Sequence, residues 1–112
     1  MVTVSITNGV AVVTMEGNLL IDEVDSFESK ITDAFEDGTR QFVFDFGKVE
    51  YVCSYALGVI AQLLKKALAE SNGKVRFCNV GNQLKLVFET MQFTNIVPLD
   101  ATCSDSLKAI RS

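Results

Sequence analysis

The residues in this chain best suited to chemistry are Cys53 and Ser54, a thiol followed directly by a hydroxyl, where a strand-like apolar run gives way to a helix-like pattern. A thiol at a helix start can be activated, because the local N–H groups favour the thiolate. A hydroxyl there can cap the helix, worth about 1 kcal/mol, or accept a phosphate, for which the same N–H groups form an anion site. No catalytic constellation surrounds them. The chain has no histidine, so the commonest general base and commonest metal ligand are both missing. Cys53, Cys78 and Cys103 are an odd number at wide spacing, neither a disulfide framework nor a CxxC metal pair. Gly-rich phosphate-binding signatures are absent. With no base to serve it, Cys53 reads as a small packed residue rather than a nucleophile. The acidic residues Asp22, Glu23, Asp25 and Glu28 read as a solvated helix face, not a cation site. The sequence therefore predicts no enzyme, no metal and no cofactor.

Composition narrows the class further. A chain of 112 residues fits one domain, 1–112. The net charge of −4 and the lack of any adjacent basic pair except Lys65-Lys66 argue against a nucleic-acid module and against anionic membrane surfaces. Met1 leads straight into an alternating pattern with no signal-peptide profile, and no apolar run approaches the ~18 residues of a membrane span. The expected location is cytoplasmic.

The elements that must position Ser54 follow from periodicity. Val2 to Thr7 alternates as a half-buried strand, Asn8-Gly9 is a hairpin signal, and Val10 to Met15 is a nearly continuous apolar strand, expected to be buried on both faces. A helix follows over about Asp22 to Glu36, with Val24, Phe27, Ile31, Ala34 and Phe35 in one stripe and Gly38 as its stop. Gln41 to Phe46 is a third strand. A second helix runs from about Ser54 to Glu70, its stripe being Leu57, Ile60, Leu64, Ala67 and Leu68. Lys74 to Val80 is a fourth strand. A third helix over about Asn82 to Met91 carries Leu84, Val87, Phe88 and Met91 inwards. Ile96 to Leu99 reads as a short edge strand, since Pro98 has no donor. Ser104 is placed to cap a last helix bearing Leu107 and Ile110. Phe42, Phe44, Phe46 and Phe77 are core residues. The order β-β-α-β-α-β-α-β-α predicts an α/β fold: an opening β-hairpin, then alternating helices and strands in a mixed, mostly parallel sheet.

Val52-Cys53-Ser54-Tyr55-Ala56-Leu57-Gly58 resembles the signature of the STAS family, in which a strand and loop ending in Asp-Ser-Ser-Gly-Leu-Gly open a helix. Gly73-Lys74-Val75-Arg76-Phe77 resembles the family's Gly-led fourth strand, and Leu84 to Pro98 its tail of helix, turn and short strand. The resemblance implies a STAS-like βα superhelix. It also implies a regulator like the bacterial anti-sigma factor antagonists, in which the first signature serine, here Ser54, is phosphorylated by a partner serine kinase of the GHKL type. That kinase is itself the anti-sigma factor, and modification breaks the pair. This chain departs from the pattern in carrying Cys53 for the Asp, Tyr55 for the second Ser and Ala56 for the first Gly. Leu20 stands for the usual acid of Gly-x-Leu-Asp, and Gln92 for a glycine after the third helix. The partner-binding residues implied are Leu19, Leu20, Ile21, Cys53, Ser54, Tyr55, Ala56 and Gly58. Tyr55 reads as an exposed anchor or as a half-buried ring. Leu19-Leu20-Ile21 reads as a docking patch or as packing beneath the first helix. Gly58, at a cost of about 1 kcal/mol against Ala, marks close packing or backbone approach. The alternative function is a constitutive, non-phosphorylated STAS accessory subunit of a transport or signalling assembly.

Overall fold

A computed structural model describes residues 1–111. The strands are β1 (Val2–Thr7), β2 (Val10–Met15), β3 (Gln41–Asp45), β4 (Lys74–Cys78) and β5 (Leu99–Asp100). The helices are α1 (Ile21–Glu36), α2 (Ser54–Leu68), α3 (Asn82–Thr90) and α4 (Cys103–Ile110), with a 3₁₀ turn over Phe93–Asn95. The sheet order is β1-β2-β3-β4-β5. β1 and β2 are antiparallel in the register Thr7↔Val10, and every later pair is parallel. Asn8 and Gly9 both take positive φ, 52° and 79°, the backbone a two-residue hairpin with the native twist requires. The expected mixed sheet with crossover helices is the observed one.

Strand alternation divides the sheet into two faces. Ala11, Val13, Met15, Phe42, Phe44, Phe46, Val75 and Phe77 meet α1, α2 and α3 in the main core. The rings form a continuous aromatic path: Phe46 lies 4.9 Å from Phe77 and 5.1 Å from Phe88, and Phe88 lies 5.6 Å from Phe93. Val10, Val12, Val43 and Cys78 point the other way and are covered by Cys103, Leu107 and Ile110 of α4. β2 is thus apolar on both faces because both are covered, as its unbroken apolar run predicts.

Several local expectations are corrected. The last strand starts at Leu99, after Pro98, because Phe93 turns into the core and winds the chain into a 3₁₀ turn that ends at Ile96. α4 is capped by Thr102, whose hydroxyl accepts from the Asp105 N–H at 3.1 Å, and not by Ser104. Val87 and Met91 lie exposed on the outer side of α3, since Leu84 and Phe88 alone fill the space beneath it. Gln92, where the family pattern has glycine, sits in the left-handed region at φ 63°. A side chain there costs about 1 kcal/mol relative to glycine.

The short β5 is secured by charge. Arg76 makes a bidentate pair with Asp100, at 2.7 and 3.0 Å. The buried Ser106 hydroxyl donates to the same carboxylate at 2.6 Å, which joins β4, β5 and α4. Hydrogen bonds from Arg76 first, and from Ser106, hold the Asp100 carboxyl below the usual carboxylate range despite burial. Its contribution to stability is complete above the ordinary aspartate pKa of about 3.9 and is lost as pH falls through the lowered value. Asp100→Asn is expected to cost about 1–2 kcal/mol at neutral pH. Urea unfolding of both proteins should show this gap narrowing at strongly acidic pH. A gap that stays constant would show that the charge of Asp100 is not what matters.

Candidate functional site

The C-terminal ends of β2 and β3 feed two loops, 16–20 and 46–53, that lead into α1 and α2. The loops are stitched together. The Leu19 N–H donates to Tyr51 O at 3.0 Å and the Cys53 N–H donates to Leu19 O at 3.0 Å, forming one isolated parallel bridge between Leu19 and Val52. Asn18 extends it: its side-chain oxygen accepts from the Glu50 N–H at 2.9 Å and the Tyr51 N–H at 3.1 Å. An exposed ion pair, Lys48 Nζ to Glu16 Oε2 at 2.8 Å, adds a weak third connection. That hydrogen bond, with the charge of Glu16, raises the Lys48 pKa. Beneath the stitch, Leu19 and Val52 are buried in the main core.

This stitch sets where α2 begins. Cys53 stays extended, at φ −70° and ψ 161°, because its N–H is committed to Leu19. Its carbonyl accepts the first helical bond, from the Leu57 N–H at 3.0 Å. Cys53 is therefore the cap residue and Ser54 the first helical residue, so the helix begins one position earlier than a Ser54 cap would require. Cys53 makes no side-chain capping bond. It is half-buried against the main core, in keeping with the packed reading of this thiol. Ser54 is exposed, and among the described residues its hydroxyl has no hydrogen-bond partner.

The other implied contact residues divide. Leu19 and Ala56 are buried, at 1% and 0% exposure, so they support the surface from below instead of forming it. Leu20 (44%), Ile21 (70%) and Tyr55 (52%) are exposed, and Tyr51 (55%) joins them. Four large apolar or aromatic side chains thus lie open at two adjacent helix starts, which is uncommon unless a partner covers them. Gly58 is exposed on the same stretch of α2, and a Cβ built there would meet nothing within 4 Å. The close packing that its glycine suggested is not within this chain. Glu28, Ser54, Tyr55, Gly58, Val59 and Gln62 line a shallow groove there between α1 and α2.

Sequence reasoning missed Asn18 and Tyr51. Asn18 follows Gly17 at a strand end, where an asparagine is ordinarily turn chemistry, and nothing local to Tyr51 marks it as facing outwards. It also missed a convergence on the opposite face: Asp45, Cys78 and Cys103 come together although 58 residues, by sequence number, separate the first from the last. Burial, and secondarily the nearby Cys103 and Asp45, raise the Cys78 pKa well above the usual thiol range. No helix among the described residues is long and apolar enough to cross a membrane.

A five-stranded mixed sheet opening with a hairpin, and a serine exposed where the third strand's loop enters a helix, are the features of one class of regulatory domain. The STAS domain model matches residues 1–106, and the chain belongs to that family. Within it the likeness is to anti-sigma factor antagonists, which are regulators and not enzymes. A candidate anti-sigma factor antagonist of Bordetella bronchiseptica, BtrV, is 25% identical over 92 residues, covering 82% of this chain and 78% of its own. A candidate antagonist from Thermotoga maritima superposes with a TM-score of 0.90 at 21% identity, over 99% of this chain and 95% of that one. The Bacillus cell-fate determinant SpoIIAA, solved in its phosphorylated form, superposes at 0.80 with 17% identity, over 98% and 99% of the two chains.

Asn18→Ala removes one acceptor shared by two N–H groups. It is expected to lower stability by about 1–2 kcal/mol and to speed amide exchange at Glu50 and Tyr51 while β3 and β4 stay protected. Exchange at these two amides that matches the wild type would remove Asn18 from this role.

Proposed function

We propose that this protein is an anti-sigma factor antagonist that docks on a serine kinase through the paired helix starts, and that phosphorylation of Ser54 releases it. The observation that carries the reading is an exposed Ser54 hydroxyl at the first position of α2, without a hydrogen-bond partner among the described residues and beside the exposed Leu20, Ile21, Tyr51 and Tyr55. The phosphorylated form of SpoIIAA, on the same fold, supports a modification in this family.

The physics suits a switch. In the free domain a phosphate at Ser54 sits where the positive end of α2 and its unpaired N–H groups favour an anion. In the complex the same group brings about −1.5 to −2 charges into a partly apolar contact, where it must lose water. Modification therefore opposes binding without opposing folding. Leu20, Ile21, Tyr51 and Tyr55 supply the apolar and aromatic anchoring, over the supports Leu19 and Ala56. Cys53 orients the helix start, and Gly58 leaves room for the partner's backbone to approach.

A second reading follows from the residues beside the serine. Cys53 and Tyr55 replace the acid and hydroxyl of the family signature, and a constitutive STAS subunit of a transport or signalling assembly needs no phosphoacceptor. One set of measurements separates the two. Each anti-sigma factor kinase encoded with this protein is purified and its affinity measured for wild type and Ser54→Asp, and intact mass is recorded after incubation with Mg-ATP. The switch predicts one phosphate on wild type, none on Ser54→Ala, and at least a tenfold affinity loss for Ser54→Asp. Phosphate surviving Ser54→Ala, or equal affinity for wild type and Ser54→Asp, would contradict it.

A further inference from the structure

On the sheet face opposite the docking surface, three groups able to bind a metal meet at one point. Asp45 ends β3 and is paired in register with Cys78, the last residue of β4. Their neighbours Phe44 and Phe77 enter the main core, so by alternation both residues project towards α4. Cys103, the first residue of α4, completes the group. One carboxylate oxygen and the two sulfurs all lie within 4.8 Å of one another.

We propose that Asp45, Cys78 and Cys103 form a binding site for a thiophilic divalent cation, with Zn²⁺ the ion its donors fit best. A four-coordinate Zn²⁺ with thiolates at about 2.3 Å and a carboxylate at about 2.0–2.2 Å holds these donors roughly 3.5–3.8 Å apart. At the widest allowed separation the closure needed is about 1 Å, a distance that a side-chain rotation of Cys103, half-buried on the first turn of a short helix, can cover. Two thiolates and one carboxylate favour zinc over the hard cations magnesium and calcium. The carboxylate is already oriented: Asp45 Oδ1 accepts from the Gly47 N–H at 2.9 Å and from Asn79 Nδ2 at 3.0 Å, the outer support that metal-binding carboxylates commonly have. Asn79 Nδ2 also lies 3.9 Å from the Cys78 sulfur. The fourth position takes a water molecule.

Binding follows a simple balance. Each cysteine coordinates as thiolate, so one Zn²⁺ displaces two thiol protons to solvent and the two sulfurs supply the bonding electron pairs; no group is oxidised or reduced. The ion would tie the start of α4 to the ends of β3 and β4, next to the Arg76–Asp100–Ser106 junction. Its effect is on the stability of the α4 face, and it does not depend on the role of Ser54.

The test uses the full chain carrying Cys53→Ser, so that only Cys78 and Cys103 can supply sulfur, kept reduced with a phosphine. Titration with Co²⁺ is expected to give a sulfur-to-cobalt charge-transfer band and tetrahedral visible bands that saturate at one ion per chain and vanish when Zn²⁺ is added. Zn²⁺ is expected to raise the Tm and to release two protons per ion. Cys103→Ser, checked for folding by circular dichroism, should lose the charge-transfer band, and the near-isosteric Asp45→Asn should weaken binding by about 10–100-fold. A titration with no charge-transfer band, a band that survives Cys103→Ser, or a Tm that Zn²⁺ leaves unchanged would overturn the proposal.

Discussion

Two backbone hydrogen bonds on either side of Leu19 determine what this domain presents to its surroundings. Parallel β2 and β3 end at the same level, and their loops would be free to diverge from there. Instead the Leu19 N–H and C=O pair with Tyr51 and Cys53, while Asn18 takes up two further N–H groups of the facing loop. The backbone is therefore satisfied by its neighbour exactly where loops usually turn to water. Leu19 and Val52 fill the core below. The second loop can then enter a helix only after Cys53, which fixes Ser54 as the first helical residue.

The exposed surface follows from that constraint. Alternation about the bridge buries Leu19 and Val52 and turns Leu20 and Tyr51 outwards. The first turns of α1 and α2 then add Ile21 and Tyr55. An isolated domain gains nothing from four such side chains in water, or from a glycine at position 58 with open space around it. Both features are costs to the free protein that a docked partner would offset. Ser54 stands within this surface and at a helix end that tolerates an anion, so under the proposed function charge added there would act on association far more than on the fold.

Much of the fold was legible because it rests on local signals. The Asn8-Gly9 turn, the unbroken apolar run of β2, the stripe of α1 and the order of strands and helices all follow from short-range pattern. Boundaries failed where tertiary contacts decided them. The start of α2 was read correctly at Ser54, but its cap residue, Cys53, depends on a hydrogen bond to Leu19, more than thirty residues earlier, and the delay of β5 depends on Phe93 reaching the aromatic core. The inward assignment of Val87 and Met91 failed because that side of α3 is left exposed among the described residues. The candidate site was half legible. Leu20, Ile21 and Tyr55 are exposed as a contact role would require, but burial of Leu19 and Ala56 and the hydrogen bonds of Asn18 and Tyr51 need the loop pairing to be known. The approach of Cys103 to Cys78 and Asp45 has no local signature at all, since it arises from the return of α4 across the far face of the sheet.

The central claim is that the stitched loops present the partner-binding surface, and amide hydrogen exchange of the free and partner-bound protein tests it most directly. Protection gained on binding is predicted to concentrate in residues 18–23 and 50–58, with α3 and α4 unchanged. New protection confined to α3, or to the exposed edge of β1, with those two loops exchanging as in the free protein, would contradict the account.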